Sequence, residues 1–271
     1  MSAPAYAAGF LWVTDSAADG EHLLRLNRQT LAVTGQVKVT DGNSPYPGAY
    51  GGDSHIAFAG GLVWTDGASR LIAVDPSTMA VRQAVTFKST NNFGGAIESD
   101  VTASSDGGTL VVSEANSGVG TLQRRDPVTG ALLASVPTNG VIAPALGGIV
   151  SGGVWISVPT GMMGYVERVD ATTLQAAGAP SPAGDTATDI EGSNGIRASL
   201  WDGELWVTNE GGGAQRNYCA DPATGQRRAT SPLPDLDVDE PMAVAGQREY
   251  YDVQAGDGFK IDWVPVPAAC A

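Results

Sequence analysis

A short pattern of apolar and polar residues recurs six times along the chain. It is seen in FLWVTD at 10–15, LVWTD at 62–66, TLVVSEA at 109–115, GVWISVP at 153–159, ELWVTNE at 204–210 and REYYDV at 248–253. Apolar runs of this length, rich in β-branched and aromatic residues, predict β-strands. Their central residues recur at intervals of about 43 to 52 positions and are Trp12, Trp64, Val112, Trp155, Trp206 and Tyr250.

A turn signal keeps the same interval. The segments LNRQTLAV, VDPSTMAV, RDPVTGALL, VDATTLQAA and ADPATGQRR each lie between two strand-like runs. An Asn or Asp side chain at the start of such a turn accepts a backbone N–H, and a proline after it presets φ. The residues that open the turns are Asn27, Asp75, Asp126, Asp170 and Asp221.

Each repeat therefore predicts four antiparallel strands joined by a glycine turn and an Asx turn. Six such repeats predict an all-β fold, a six-bladed β-propeller of four-stranded antiparallel blades. No linker interrupts the pattern, so we expect a single domain over residues 1–271. The last repeat lacks the Asx turn. We expect its blade to be incomplete or to be closed by the N-terminal segment.

Composition narrows the choice of partners. The formal net charge is −14, which argues against binding to nucleic acid or to an anionic membrane because like charges repel. No apolar run approaches the roughly 18–20 residues of a membrane span, and the first residues, MSAPAYAAGF, lack the pattern of a signal peptide. We expect a monomer that is secreted or periplasmic rather than cytoplasmic. The two cysteines, Cys219 and Cys270, either form one disulfide or remain free thiols.

The first strand of each blade supplies the candidate site residues, since these strands begin beside the central channel on one face of a propeller. Alignment of ESDVTAS, NGIRAS and EPMAVA predicts a metal site of Glu98, Asn194 and Glu240. Oxygen ligands of this kind suit a hard cation, above all Ca²⁺. SHIAFAGG adds Ser54 with Asp53 and His55, and the candidate catalytic residues are His55, Asp53 and Glu98. Further acidic or amide side chains near these positions are Asp15, Asp66, Asp100, Glu114, Glu191, Asn209 and Asp239.

Each of these residues also has a structural interpretation. The acidic residues can be ordinary polar loop residues of an acidic protein, and His55 can be a structural histidine. His22, the other histidine, is expected to be a solvated side chain in a loop. The tryptophans are expected in the core between blades.

The blade motifs resemble those of known propeller families. LWVTD, LWVTN and the Asp-Pro-x-Thr-Gly turn are similar to the YVTN-type and streptogramin-lyase-like propellers, and SNGIRASLWDGELWVTN resembles a hairpin of the gluconolactonase and senescence-marker-like family. The second resemblance implies a divalent ion at the channel mouth. Asn194 matches the Asn-Gly motif of that family, and Glu240 stands where the family commonly has Asp. The lyases use a histidine on a late blade, whereas His22 and His55 both lie early, so the lyase mechanism is not carried over.

Two classes of function remain open. One is a small-molecule enzyme, a lyase, lactone hydrolase or cyclase, acting at the channel mouth with the assistance of a divalent metal. The alternative is a non-catalytic propeller that binds a small-molecule ligand or a protein at the same face.

Overall fold

The structure is a computed structural model of the 271-residue chain. It describes residues 5–17, 19–39, 56–67, 70–86, 99–116, 119–138, 145–159, 164–177, 195–201, 203–210, 218–231, 243–245, 247–255 and 258–270. The described strands form six antiparallel sheets in which neighbours in sequence are neighbours in the sheet. The sheets fall into two compact units, with three sheets in each. No described helix is long and apolar enough to span a membrane.

The first unit contains sheets 1, 2 and 3, each of four strands. Sheet 1 consists of β1 (Ala5–Ala7), β2 (Phe10–Ala17), β3 (Gly20–Leu26) and β4 (Val33–Lys38). Sheet 2 consists of β5 (Ile56–Ala59), β6 (Leu62–Gly67), β7 (Arg70–Val74) and β8 (Val81–Thr86). Sheet 3 consists of β9 (Ser99–Ala103), β10 (Leu110–Asn116), β11 (Val119–Arg125) and β12 (Leu132–Pro137).

The second unit contains sheets 4, 5 and 6. Sheet 4 consists of β13 (Ala145–Val150), β14 (Gly153–Pro159) and β15 (Gly164–Asp170). Sheet 5 consists of β16 (Gly195–Trp201), β17 (Glu204–Glu210), β18 (Tyr218–Ala220) and β19 (Arg227–Thr230). Sheet 6 consists of β20 (Ala243–Ala245), β21 (Arg248–Ala255) and β22 (Gly258–Pro265), and a short 3-10 helix, Ala268–Cys270, follows it.

The second strand of each sheet carries the predicted run. Trp12, Trp64, Trp155 and Trp206 are all buried there. In sheet 3 the alignment made from sequence is wrong by one residue. Each tryptophan pairs across the sheet with the residue two positions before the Asn or Asp that opens the turn; Trp64, for example, pairs with Ala73. In sheet 3 the residue paired in this way, with Arg124, is Val111. Val111, not Val112, therefore takes the tryptophan position.

The Asx turns form as the sequence predicts. The side-chain oxygen of Asp126 accepts N–H bonds from Val128 and Thr129 at 3.0 and 2.7 Å. The first described turn shows the same pair of bonds at Asn27, and the fifth shows it at Asp221. The residue four positions after the opening residue has a positive φ in each of them. It is glycine in two turns, Gly130 and Gly225, with φ of 70° and 73°.

Two tryptophans connect adjacent sheets through these turns. The indole N–H of Trp64 donates to the carbonyl of Pro127 at 3.0 Å, and that of Trp155 donates to the carbonyl of Pro222 at 2.7 Å. Pro127 and Pro222 belong to the Asx turn of the following sheet. Each of these two turns therefore joins two strands of its own sheet and accepts a hydrogen bond from the sheet before it.

Sheet 6 is closed differently. Its described part has three strands and no Asx turn, and the N-terminal strand β1 pairs with β2 in sheet 1. Cys270 instead bonds to Cys219 of sheet 5, with their Cα atoms 6.0 Å apart. Both cysteines pack against Trp206 and Val244. Of the two alternatives for the cysteines, the disulfide is confirmed, and it holds the C-terminal segment where other sheets present a turn.

The expectation for His22 is wrong. His22 lies on β3 and is only 7 % exposed, although the sequence placed it in a solvated loop. Its imidazole Nε2 lies 3.5 Å from the carboxylate of Asp19. The hairpin turn is shorter than the sequence indicated, and so β3 begins at Gly20 and includes His22.

Candidate functional site

The apolar contact between sheets 2 and 3 ends in a group of polar side chains. Within the contact, Trp64 of sheet 2 packs with Val101 and Val112 of sheet 3. Two residues beyond Trp64 on the same strand, and so on the same face of the sheet, comes Asp66. Asp66 is only 6 % exposed, and its Oδ2 accepts a hydrogen bond from the Ser99 hydroxyl at 2.8 Å. This bond connects the two sheets.

A second acidic residue lies across the strand pair from the same serine, within sheet 3. Glu114 lies directly opposite Ser99 in the register of β9 and β10, so Glu114 and Ser99 share a face. The Ser99 hydroxyl therefore lies near two carboxylates, one from each sheet. Burial raises the pKa of Glu114, while the charge of Arg125 and a hydrogen bond from the Gln123 amide lower it, with burial the larger effect.

Gln123 and Arg125 support Glu114 from the next strand. The Arg125 Nε donates to the Gln123 side-chain oxygen at 2.8 Å, and its Nη1 donates to the carbonyl of Gly130 at 2.8 Å. Burial lowers the pKa of the Arg125 guanidinium, and Glu114 opposes this effect. A guanidinium stays charged in proteins. Arg125, Gln123 and Glu114 therefore form a row. The charged Arg125 lies at the Asx turn, and the half-buried Glu114 lies at the polar end of the contact between sheets 2 and 3.

Asp100 follows Ser99 in sequence but does not join this group. Successive residues of a strand point to opposite faces, so Asp100 faces away from Asp66 and Glu114. It is 4 % exposed, and its Oδ1 accepts the backbone N–H of Val101. The sequence placed Asp100 near the site, and the alternation of the strand separates it from the other carboxylates.

The site residues predicted from the sequence lie outside the described residues. They are Asp53, Ser54, His55, Glu98, Asn194 and Glu240. The residues that follow three of them, Ile56, Ser99 and Gly195, begin β5, β9 and β16, each the first strand of its sheet. The convergence of these side chains and their role in metal binding or catalysis stay predictions. Among the described residues, no group of three His, Cys, Asp or Glu side chains could hold a metal ion.

The sequence named two members of the described group and missed two. Asp66 and Glu114 were predicted from the ends of second strands, whereas Gln123 and Arg125 were not. A signal was present. Gln123 and Arg125 occupy the positions of Ile72 and Val74 in sheet 2, which are buried and apolar. Two polar residues at core positions of one repeat indicate a polar network in that repeat.

Comparison with known proteins tests the fold. No family model matches the chain, and no curated protein matches it. Solved structures do match. BamB from Moraxella catarrhalis is 16 % identical, with a TM-score of 0.53, and the match covers 96 % of this chain and 71 % of that one. The Dos1 propeller is 12 % identical, with a TM-score of 0.56, and the match covers 92 % of this chain and 65 % of that one.

The chain is a β-propeller. The six antiparallel sheets formed by its described strands agree with the six predicted blades. The match to Kuenenia stuttgartiensis hydrazine synthase, with a TM-score of 0.61 at 16 % identity, covers 89 % of this chain and 70 % of that one. At such identities the likeness concerns the fold alone, and the propeller fold supports both enzymes and binding proteins.

Proposed function

We propose that this β-propeller binds a small-molecule ligand with the help of a divalent cation, Ca²⁺, at the polar end of the contact between sheets 2 and 3. The observation that carries the proposal is the hydrogen bond from Ser99 to Asp66, with Glu114 directly across the strand pair from Ser99. Carboxylate and hydroxyl oxygens are ligands of hard cations. A cation there also reduces the repulsion between two carboxylates that are partly removed from water.

The described donors fit Ca²⁺ only in part. Ca²⁺ takes about six to eight oxygens, whereas the described side chains offer the oxygens of Asp66, Ser99 and Glu114. We propose Glu98 as the next ligand, because the alignment of the repeats predicts it as a metal ligand at the start of this blade. Water and the ligand itself complete the shell. The net charge of −14 favours a cation in addition to these local groups.

Calorimetric titration and thermal unfolding with Ca²⁺ test the proposal. At a free concentration one hundred times the Kd, Ca²⁺ stabilises the folded state by about 2.7 kcal/mol. We expect Glu98→Gln and Glu114→Gln to lose most of this stabilisation. Asp19→Asn is the control, because it removes one carboxylate of the same unit that is 64 % exposed and lies outside the group.

The control separates a site from general screening. Because the protein is acidic, any divalent salt reduces its self-repulsion, so NaCl is added to equal ionic strength in all samples. If Asp19→Asn lowers the Ca²⁺ effect as much as Glu98→Gln and Glu114→Gln do, the cation acts on net charge and the proposed site is wrong.

An enzyme is the second candidate, and the raised pKa of Glu114 favours it. A half-buried carboxyl group whose pKa is raised is a candidate for general acid–base catalysis. On this hypothesis Glu114 transfers the proton in lactone hydrolysis, cyclisation or a lyase reaction. Assay of lactone substrates with Ca²⁺ present tests it, since Glu114→Gln must then abolish turnover while Asp19→Asn leaves it unchanged.

The disulfide bears on location. Disulfides persist in oxidising compartments and are rare in the cytosol. Cys219 and Cys270 are joined and buried, and we propose on this ground that the protein works outside the cytoplasm.

A further inference from the structure

A carboxylic acid is buried in the contact between sheets 5 and 6. Glu249 lies on β21 and has no exposed surface. It stands opposite Val244 on one side and Val264 on the other. Its face of sheet 6 packs against Trp206 and Cys219 of sheet 5 through Val244. The acid therefore sits within an apolar contact.

The other repeats have an apolar residue at this position. Glu249 immediately precedes Tyr250, which aligns with the tryptophans of the other second strands. The residues that correspond to Glu249 are Leu11, Val63, Leu110, Val154 and Leu205. Four of these five are buried as completely as Glu249, with exposures of 0 % or 1 %. An ionisable side chain therefore occupies a position that is apolar in every other repeat.

The hydrogen bonding of Glu249 is incomplete. Its Oε2 accepts a bond from the hydroxyl of Ser231, at the end of sheet 5. Its Oε1 has no hydrogen-bond partner among the described residues, and neither has the indole N–H of Trp206 in the same contact. An ionised carboxylate needs several donors or a nearby cation to be stable in a buried site.

The described charged groups do not supply that cation. Each arginine on the strands packed around Glu249 contacts another group: Arg227 contacts Tyr218, Arg228 contacts Glu204 and Asp221, and Arg248 contacts Trp263. Tyr218 also faces away from Glu249, because it packs with Trp155 on the opposite side of sheet 5. Of the described acidic groups on these strands, Glu204 and Asp221 are the ones paired with Arg228.

We propose that Glu249 is a proton-controlled latch, in which the neutral side chain holds sheet 5 against sheet 6 and its ionisation loosens this contact around the Cys219–Cys270 disulfide. The neutral acid can accept from Ser231 and also donate its own proton. The ionised form can only accept, and it places a charge between Val244 and Val264.

The direction of the pH effect follows from linkage. Burial raises the pKa of Glu249 from 4.5 to about 7. The acid binds its proton more tightly in the folded protein than in the unfolded chain. Its destabilising effect is therefore absent below pH 4.5, grows between pH 4.5 and about 7, and is complete above that pH.

Reduction of the disulfide reports on the latch directly. Cys219 and Cys270 are 0 % and 6 % exposed, so a reductant reaches them only when the contact opens. The reduction rate with tris(2-carboxyethyl)phosphine is measured from pH 5 to pH 8 for the whole chain and for Glu249→Gln. We expect the ratio of the two rates to rise at least tenfold over this range, since only the wild-type side chain ionises.

Two further variants complete the test. Glu249→Leu restores the apolar residue of the other repeats and replaces the Gln variant if that one does not fold. Glu167→Gln is the control, because burial also raises the pKa of Glu167, which lies on β15 of sheet 4. Its rate must keep the wild-type pH dependence. If the ratio of the wild-type to the variant reduction rate stays constant from pH 5 to pH 8 for both Glu249 variants, the proposal is wrong. It is also wrong if the wild-type reduction rate rises with pH no faster than the rate at which the same reagent reduces an exposed disulfide.

Discussion

Substitution of Gly225 by alanine tests the packing of an Asx turn against the tryptophan of the preceding sheet. A Cβ atom at Gly225 would lie 2.5 Å from Cη2 of Trp155, well inside van der Waals contact. Gly225 also has a positive φ of 73°. Gly203, in the same sheet, has a φ of 84° but nothing within 4 Å of its Cβ position. Comparison of Gly225→Ala with Gly203→Ala therefore separates the steric clash with Trp155 from the backbone strain that both substitutions share.

The two costs have different sizes. A left-handed conformation costs an L-residue about 1–2 kcal/mol, partly offset because alanine restricts the unfolded chain. We therefore expect Gly203→Ala to lower the free energy of unfolding by about 1 kcal/mol. Overpacking of a core adds about 1–3 kcal/mol, so Gly225→Ala should lower it by about 3 kcal/mol. The clash also disturbs the bond from Trp155 to Pro222.

Urea denaturation of the two variants, followed by circular dichroism, measures this difference. A double-mutant cycle with Trp155→Phe adds a sharper test, because phenylalanine lacks the ring atom that the new Cβ would meet. In that background Gly225→Ala should cost no more than Gly203→Ala costs in the wild type. Equal destabilisation by the two glycine substitutions in the wild type would refute the reasoning from packing.

Two other predictions concern the turns and the tryptophans. Trp155→Phe should cost about 1 kcal/mol more than Trp206→Phe in denaturant unfolding, because the Trp155 N–H bonds to Pro222, whereas that of Trp206 has no partner among the described residues; equal costs contradict this. Asp126→Ala should destabilise the protein more than Asp126→Asn does, since an amide oxygen serves as the acceptor in the first turn at Asn27. Backbone hydrogen bonds, first from Thr129, lower the pKa of Asp126, so this contribution is present above pH 3.8 and is lost as the pH falls further, which melting curves at pH 2 to 6 can check.

The repeated features could be predicted from sequence because they are local. The second strands, the Asx turns and the count of six sheets follow from periodic apolar runs and from Asn or Asp at fixed spacing. Register is less local. In sheet 3 the position of Val111 depends on how many residues the preceding hairpin contains, and the sequence alignment missed it by one.

The polar group at sheets 2 and 3 could be predicted only in part. Asp66 and Glu114 end second strands, and that position identified them. Which carboxylates come together depends on how the strands pair and the sheets pack, whereas the alternation along β9 separates Asp100 from Ser99. The place of Glu249 in the repeat can be read from the sequence. Its burial cannot, because it depends on the packing of sheet 6 against sheet 5.

The Cys219–Cys270 disulfide changes how the chain carries mechanical load. It joins residues 51 positions apart, and β20, β21 and β22 lie inside the covalent loop that it closes. Tension applied to the chain beyond Cys270 passes through the bridge directly to β18 in sheet 5. Sheet 6 lies inside the closed loop, so its strands bear none of this tension for as long as the bridge is intact.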